Sequence, residues 1–283
     1  MATSTTYGGY TAKAQDVALI MKFERDVRAL AELLSASDVQ VLAPGTNLTS
    51  YVNTCTLQDG VVSAGQSITL STYSTAATGR TLTFKKWRKA TPIEAIAAQG
   101  YEGAVVATDN QLVRDVQKAV RGTIVGGLAS GSGSASGATF QAALADVWAK
   151  VEAAFEDEAA EPVYFANYDD IAGFLATASV TVQTDSGINY IQNFMGIPGK
   201  LVLDSNVPSG VIYGTAKENL VVAAADVRGI EGMPLEMDES GIIAVHHTPN
   251  YETASAETVV YTGLCVFPMF ANRVIVGSIG ASA

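Results

Sequence analysis

Between Ser67 and Phe84 the chain reads SITLSTYSTAATGRTLTF, a β-patterned run of small and hydroxylated residues with few large apolar side chains. A hairpin of that composition has too little apolar area to offset the entropy of ordering its own backbone. It has to lie on something else, and no other segment constrains the fold as much. The run closes a β block from 39 to 84 carried by Val39, Val41, Thr49, Tyr51, Val61, Val62, Ile68, Leu70, Leu82 and Phe84. Pro44-Gly45, Asp59-Gly60, Ala64-Gly65 and Thr78-Gly79 punctuate it as turns.

A basic cluster follows at once. Arg80, Lys85, Lys86, Arg88 and Lys89 are five of only 17 Lys and Arg in a chain with 28 Asp and Glu, a formal net charge of −11. Nucleic-acid readers neutralise phosphates with cations spread over a basic face, and a strongly acidic chain repels DNA instead. Strand alternation puts Leu82, Phe84, Lys86 and Arg88 on one side and Lys85, Trp87 and Lys89 on the other. Both faces then carry positive charge. An acidic run, Glu152, Glu156, Asp157, Glu158 and Glu161, is the counterpart elsewhere. Charged residues are otherwise sparse, 16% against 48% hydrophobic, which suggests that much apolar and neutral surface is buried, either inside the subunit or between subunits.

The helical signals come in separate blocks. Val17, Ile20, Val27, Leu30 and Leu34 recur at helical spacing from about Ala12. Thr91-Pro92-Ile93-Glu94 predicts an N-cap, a proline at the first helical position and Glu at the third, with the helix ending near Gly100. Thr108-Asp109-Asn110-Gln111 reads as a second capping box, opening a long helix striped by Leu112, Val116, Val120, Ile124 and Leu128. Gly126 to Thr139 (GGLASGSGSASGAT) reads as a flexible linker. A helix over 140–157 carries Leu144, Val147, Trp148 and Val151. Pro162 to Ala166 then reads as a buried strand, and Asn167 or Asp169 caps a helix through Ala176. Strands follow near 188–194, 200–204, 211–215 and 219–224, and three long ones lie between Gly241 and Ile279. The fold class is α+β.

Chemistry is sparse. The glycine tract follows a helix rather than a strand, so it does not fit a dinucleotide loop. His246 and His247 point to opposite faces of a strand and do not share a metal. Asp169-Asp170 fit the start of a helix, where anions are stabilised. Cys55 and Cys265 read as two buried small hydrophobes. The sequence contains no G-x-S-x-G, and neither a cofactor nor a metal is expected. The N-terminus shows no apolar signal region, and no run of eighteen apolar residues spans a membrane.

Five blocks, in this order, resemble the major capsid proteins of tailed bacteriophages with the Hong Kong 97-like fold. They are APGTNLTSY (43–51), LQDGVVSAGQSITL (57–70), KKWRKATPIEAIAAQGYEGAVVATDNQLVRDVQKAVR (85–121), VPSGVIYGTAKENLVV (207–222) and HHTPNYETASAETVVYTGLCVFP (246–268). The resemblance implies an N-terminal arm at 1–42 and an extended loop at 43–90 lying across a neighbouring subunit. It implies a peripheral domain with a long spine helix at 91–137 and an axial domain at 138–228. Return strands at 229–268 complete the peripheral domain, and the C-terminal strand at 269–283 rejoins the axial domain. The implied partners are other copies of the chain in pentameric and hexameric capsomers, a portal, and packaged double-stranded DNA held without sequence-specific contact. Some relatives carry a scaffolding segment ahead of the arm. This chain reaches the arm soon after Met1, which implies a separate scaffolding protein and no extensive maturation cleavage. The implied location is the virion capsid, assembled in the host bacterial cytoplasm, and the implied role is structural rather than enzymatic.

On that resemblance RTLTFKKWRKATPIE is the returning strand of the intersubunit arm. Arg80, Lys85, Lys86, Trp87, Arg88 and Lys89 are then expected to meet acidic surface on an adjacent subunit, with Glu152, Glu156, Asp157 and Glu158 as candidate partners. The alternatives are an encapsulin-type nanocompartment shell, an α/β enzyme with a mobile β-arm, and a surface-layer protein.

Overall fold

The computed structural model describes residues 19–21, 23, 40–58, 60–61, 63, 67–156, 159–175, 181–185, 188–229, 236–237 and 241–280. Of the helix expected from Ala12 to Leu34, only residues 19–21 and 23 fall within it. They are helical, with Leu19, Ile20 and Phe23 buried in the main core.

A seven-stranded sheet forms one half of the molecule. In chain order its strands are β5 (Gly133–Gly137), β6 (Pro162–Ala166), β7 (Gln183–Asp185), β8 (Ile188–Gln192), β9 (Lys200–Leu203), β10 (Val211–Ala216) and β16 (Ile275–Ile279). Their spatial order is β5-β16-β10-β6-β9-β8-β7. Strand β6 is buried at every position, which explains its unbroken apolar reading. Alternation sends Tyr164 to one face, where Leu144, Val147 and Val151 of helix α3 (Phe140–Ala154) cover it. Val163 and Phe165 point the other way, into the core built around helix α2 (Ala107–Leu128).

The other half holds a four-stranded sheet, β12-β13-β14-β4, formed by Glu236–Met237, Ile243–Asn250, Ser255–Thr262 and Lys85–Pro92. A three-stranded sheet, β1-β11-β15, joins Gln40–Leu42, Leu220–Ala225 and Leu264–Pro268. Helix α2 spans both halves. Val113, Val116, Val120, Ile124 and Leu128 share one core with Val222, Leu264 and Val266 and with Val245 and Val260. Among the described residues, strands β2 (Asn47–Thr56) and β3 (Thr72–Thr81) pair only with each other. They form a ribbon, but not the hairpin expected within Ser67–Phe84: that run supplies one strand, β3, whose partner β2 comes from outside it, and Thr78-Gly79 lies within β3 rather than at a turn.

Several expectations need correction. The glycine-rich tract is not a linker: it ends α2 and then forms β5, parallel to β16. Its glycines serve close packing, since a Cβ on Gly137 would lie 2.2 Å from the Ala143 backbone nitrogen in α3. Thr91 is not a helix cap but a buried residue of β4, and Pro92 takes the cap position of helix α1 (Ile93–Tyr101). The break near Gly100 is present, with φ 75° and ψ 164°. Beyond it the chain winds through a π-helical turn, Glu102–Val106, straight into α2. Thr108 therefore opens nothing. Its hydroxyl bonds back to the Ala104 and Val105 carbonyls inside a continuous helix. Asn167 does cap helix α4 (Tyr168–Leu175), accepting from the Asp169 amide at 3.0 Å. Asp170 reaches across to Ser209 and the Gly210 amide, which pins the next turn. Cys265 is half-buried, but Cys55 is exposed on the ribbon.

Candidate assembly surface and the charge centre beneath it

The ribbon and its connecting loop expose a group of large apolar side chains. Tyr51, Leu57, Val61, Ile68, Leu70 and Tyr73 on it and its connecting loop are all exposed, Leu70 at 85% and Val61 at 87%. Large apolar side chains grouped on an unsupported two-stranded sheet mark a surface that another chain covers. Among the described residues, the base of the ribbon is where it packs on its own subunit. There Leu82 is buried with Ala223, Ala225 and Phe267, and Leu48 and Phe84 close around them.

The basic segment does not belong to the ribbon. Its return strand ends at Thr81, and Lys85 to Pro92 form β4, which pairs antiparallel with β14 on the subunit's own sheet. One face of β4 looks inward. Trp87 packs on the main core, and the Lys89 ammonium uses its three protons on the Val105 carbonyl, the Thr108 hydroxyl and Asp109 Oδ1, the last at 2.5 Å. Asp109 is 1% exposed and also accepts from Thr258 Oγ1 at 2.9 Å, while its second oxygen faces His247 Nε2 at 2.9 Å. The π-helical turn offers Lys89 the Val105 carbonyl. Burial pushes the Asp109 carboxyl upward, but hydrogen bonds and charge from His247 and Lys89 outweigh it and hold the group below the ordinary carboxylate range. The centre ties α2 to β4, β13 and β14 at one point.

The outward face of β4 carries Lys86 and Arg88. The Arg88 guanidinium forks onto both oxygens of Glu257, Nε to Oε2 at 2.9 Å, and Asn250 Nδ2 adds a bond at 2.7 Å. The Arg88 hydrogen bond, followed by that from Asn250, lowers the Glu257 pKa. Lys85 is half-buried and Lys86 is exposed. Arg80 lies on β3, its guanidinium 5.2 Å from the Phe267 ring centroid.

The acidic run does not meet this strand within the chain. Glu152 accepts from Trp148 Nε1 at 3.0 Å, Glu156 is exposed, and Glu161 pairs with Lys217 at 2.7 Å. Asp157 and Glu158 lie outside the described residues. Among the described residues no cation of β4 contacts a member of the run, because Arg88 and Lys89 take Glu257 and Asp109 instead. The positive charge on the inner face of β4 thus has a partner inside the fold. Sequence reading missed the grouping of Asp109 with His247 and Thr258, which lie 138 and 149 residues beyond it and reach it through the pairing of β13, β14 and β4 above α2. The one available signal was a charged residue, Asp109, within a helix otherwise striped by apolar residues.

No family model matches the chain, and no curated protein matches it in sequence. Solved structures do match in fold. The virus-like particle of Pyrococcus furiosus aligns with a TM-score of 0.60 at 11% identity, over 95% of this chain and 99% of that one. The SrpI encapsulin of Synechococcus elongatus PCC 7942 aligns with a TM-score of 0.55 at 12% identity, over 87% of this chain and 86% of that one. The capsid of cyanophage P-SCSP1u aligns with a TM-score of 0.52 at 10% identity, over 89% and 88%. Similarity over 87–95% of this chain makes its fold the Hong Kong 97-like capsid fold.

Proposed function

We propose that the chain is the major capsid protein of a tailed bacteriophage, a structural subunit that assembles into an icosahedral shell around packaged double-stranded DNA. The observation that carries this reading is the exposed apolar ribbon on a subunit whose fold aligns along its length with shell proteins. A monomeric enzyme has no use for such a ribbon, whereas a shell subunit covers it with a neighbour. In this assembly the ribbon lies across the next copy in a pentamer or hexamer. Residues around α2 form the peripheral unit, and the seven-stranded sheet forms the axial unit. A scaffolding protein and a portal complete the particle in the host cytoplasm, and DNA is held without base-specific contact.

Within the proposed interface the basic strand keeps a narrower role than its composition implies. Arg88 and Lys89 hold the fold together, which leaves Lys85 and Lys86 to meet acidic surface on a neighbour, with Glu152, Glu156, Asp157 and Glu158 as candidates. Electron microscopy of the purified chain, with and without a co-expressed scaffold, tests the main reading. Closed shells or rings support it, and a species that stays monomeric at every salt and protein concentration overturns it. The encapsulin similarity favours a second reading, a nanocompartment that encloses protein. Nuclease-protected DNA in purified particles supports the capsid, and co-purifying protein cargo without DNA supports the compartment.

A further inference from the structure

Two features of complementary shape and charge stand at opposite ends of strand β4. At the far end, the turn joining β13 to β14 presents Tyr251 at 89% exposure, the most open large hydrophobic side chain among the described residues. The turn is braced. Asn250 Oδ1 accepts from the Glu252 amide at 2.9 Å and the Thr253 amide at 3.3 Å. The Thr253 and Ser255 hydroxyls bond at 2.7 Å, and the Ile93 amide donates to the Ala254 carbonyl at 2.9 Å. An aromatic displayed on a rigid turn loses little entropy on binding and makes an efficient anchor. Beside it stands the Glu252 carboxylate, which no cation pairs among the described residues.

At the near end, where the ribbon leaves the body, a groove of about 250 Å³ opens between Leu48, Val52, Arg80, Phe267, Met269 and Ala271. Most of its wall is apolar, Ser50, Ser130 and Asn272 add neutral polar groups, and its one charged lining residue is Arg80, whose guanidinium stands beside the Phe267 ring and meets no carboxylate among the described residues. Strand β4, eight residues long, separates the two features. At ~3.3 Å per residue that is roughly 26 Å, so one copy does not fill its own groove with its own turn.

We propose that Tyr251 of one copy seats in the Leu48–Phe267 groove of a second copy, with Glu252 pairing Arg80 there. The inference rests on the shell reading and names a contact within it. Because the two patches differ, the contact is heterologous: each copy offers a turn to one neighbour and a groove to another, and repetition closes a ring or extends a lattice. The occupant is another copy of this chain because its own turn supplies both the aromatic ring and the unpaired negative charge that the groove lacks.

The test measures the protein concentration at which full-length chain assembles. Tyr251→Ala, Arg80→Glu and Glu252→Arg should each raise that threshold at least about tenfold, while the Arg80→Glu/Glu252→Arg double swap should return it to within about threefold. All three sites are exposed or half-exposed, so circular dichroism should show folded subunits throughout. In Cys55→Ser protein, Tyr251→Cys combined with Met269→Cys should give a ladder of disulfide-linked oligomers that neither single substitution gives. Shells that form at the wild-type threshold with Tyr251→Ala, or that give no ladder with the double cysteine variant, overturn this contact and leave the shell reading standing. A wild-type chain that never leaves the monomer overturns both.

Discussion

Replacing Asp109 with alanine probes the point where α2, β4, β13 and β14 are tied together. The carboxylate is 1% exposed and accepts from Lys89, His247 and Thr258. Its loss leaves the Lys89 ammonium, with a side chain 17% exposed, facing only a carbonyl and a hydroxyl. The Thr258 hydroxyl and the His247 ring, the latter 4% exposed, lose their acceptor. Deleting one partner of a buried ion pair costs about 3–5 kcal/mol, and each stranded donor adds up to about 1–3 kcal/mol where nothing relaxes. Lys89 can relax toward solvent, so we expect a net loss of about 4 kcal/mol for Asp109→Ala. For a chain of this size that corresponds to a drop in Tm of roughly 8–16 °C. Asp109→Asn retains one acceptor oxygen and should lose about half as much. Urea and thermal unfolding of the unassembled subunit, followed by circular dichroism at pH 7, measure both. A loss below about 1 kcal/mol with an unchanged denaturant slope would refute the tie. The pH dependence has a definite sign. A carboxyl held below its ordinary value contributes stability that is present above the unfolded pKa and is lost as pH falls through the folded one. The gap between wild type and Asp109→Ala should therefore be full at neutral pH and narrow below about pH 4.

Four further outcomes follow from the same structure. Lys89→Glu sets a second carboxylate against Asp109 and should leave little folded subunit, whereas Lys86→Glu on the open face of β4 should fold with a Tm near wild type and fail only in assembly. Gly137→Ala drives a Cβ into the backbone of α3 and should cost about 1–3 kcal/mol, read by urea unfolding. Leu70→Ser on the ribbon should change subunit stability by no more than about 0.5 kcal/mol while reducing shell yield in sedimentation. Asn167→Ala removes the cap of α4 and should cost about 1 kcal/mol in the same unfolding assay.

The ribbon was legible in the sequence because composition alone forbids it a private core, and the ladder from Asn47↔Thr81 to Thr56↔Thr72 is its result. The stripe along α2 and the continuous apolar run of β6 were equally plain, since each reports a burial pattern set by local geometry. Caps were less secure. Thr91-Pro92 and Thr108-Asp109 carry the right residues for helix starts, but the pull of β14 extends β4 through Pro92, and the π-helical turn carries the helix past Thr108. The glycine tract misled for a different reason. Low complexity reads as flexibility, yet here the missing side chains let β5 pass against α3.

The basic stretch marks the boundary between the two kinds of knowledge. Its five cations, its β alternation and its setting in an acidic chain are properties of neighbouring residues, and these follow from the order of the amino acids. The partners of those cations are not. Asp109 lies 20 residues beyond Lys89, and Glu257 lies 169 residues beyond Arg88. Which carboxylates neutralise which cations depends on strand pairing over that separation and on how far α2 is wound when it passes beneath β4. Periodicity and propensity act over a few residues, so they set the helices, the strands and the unsupported ribbon. Long-range pairing places charge on charge, and it gave two of these cations, Arg88 and Lys89, carboxylate partners within the subunit.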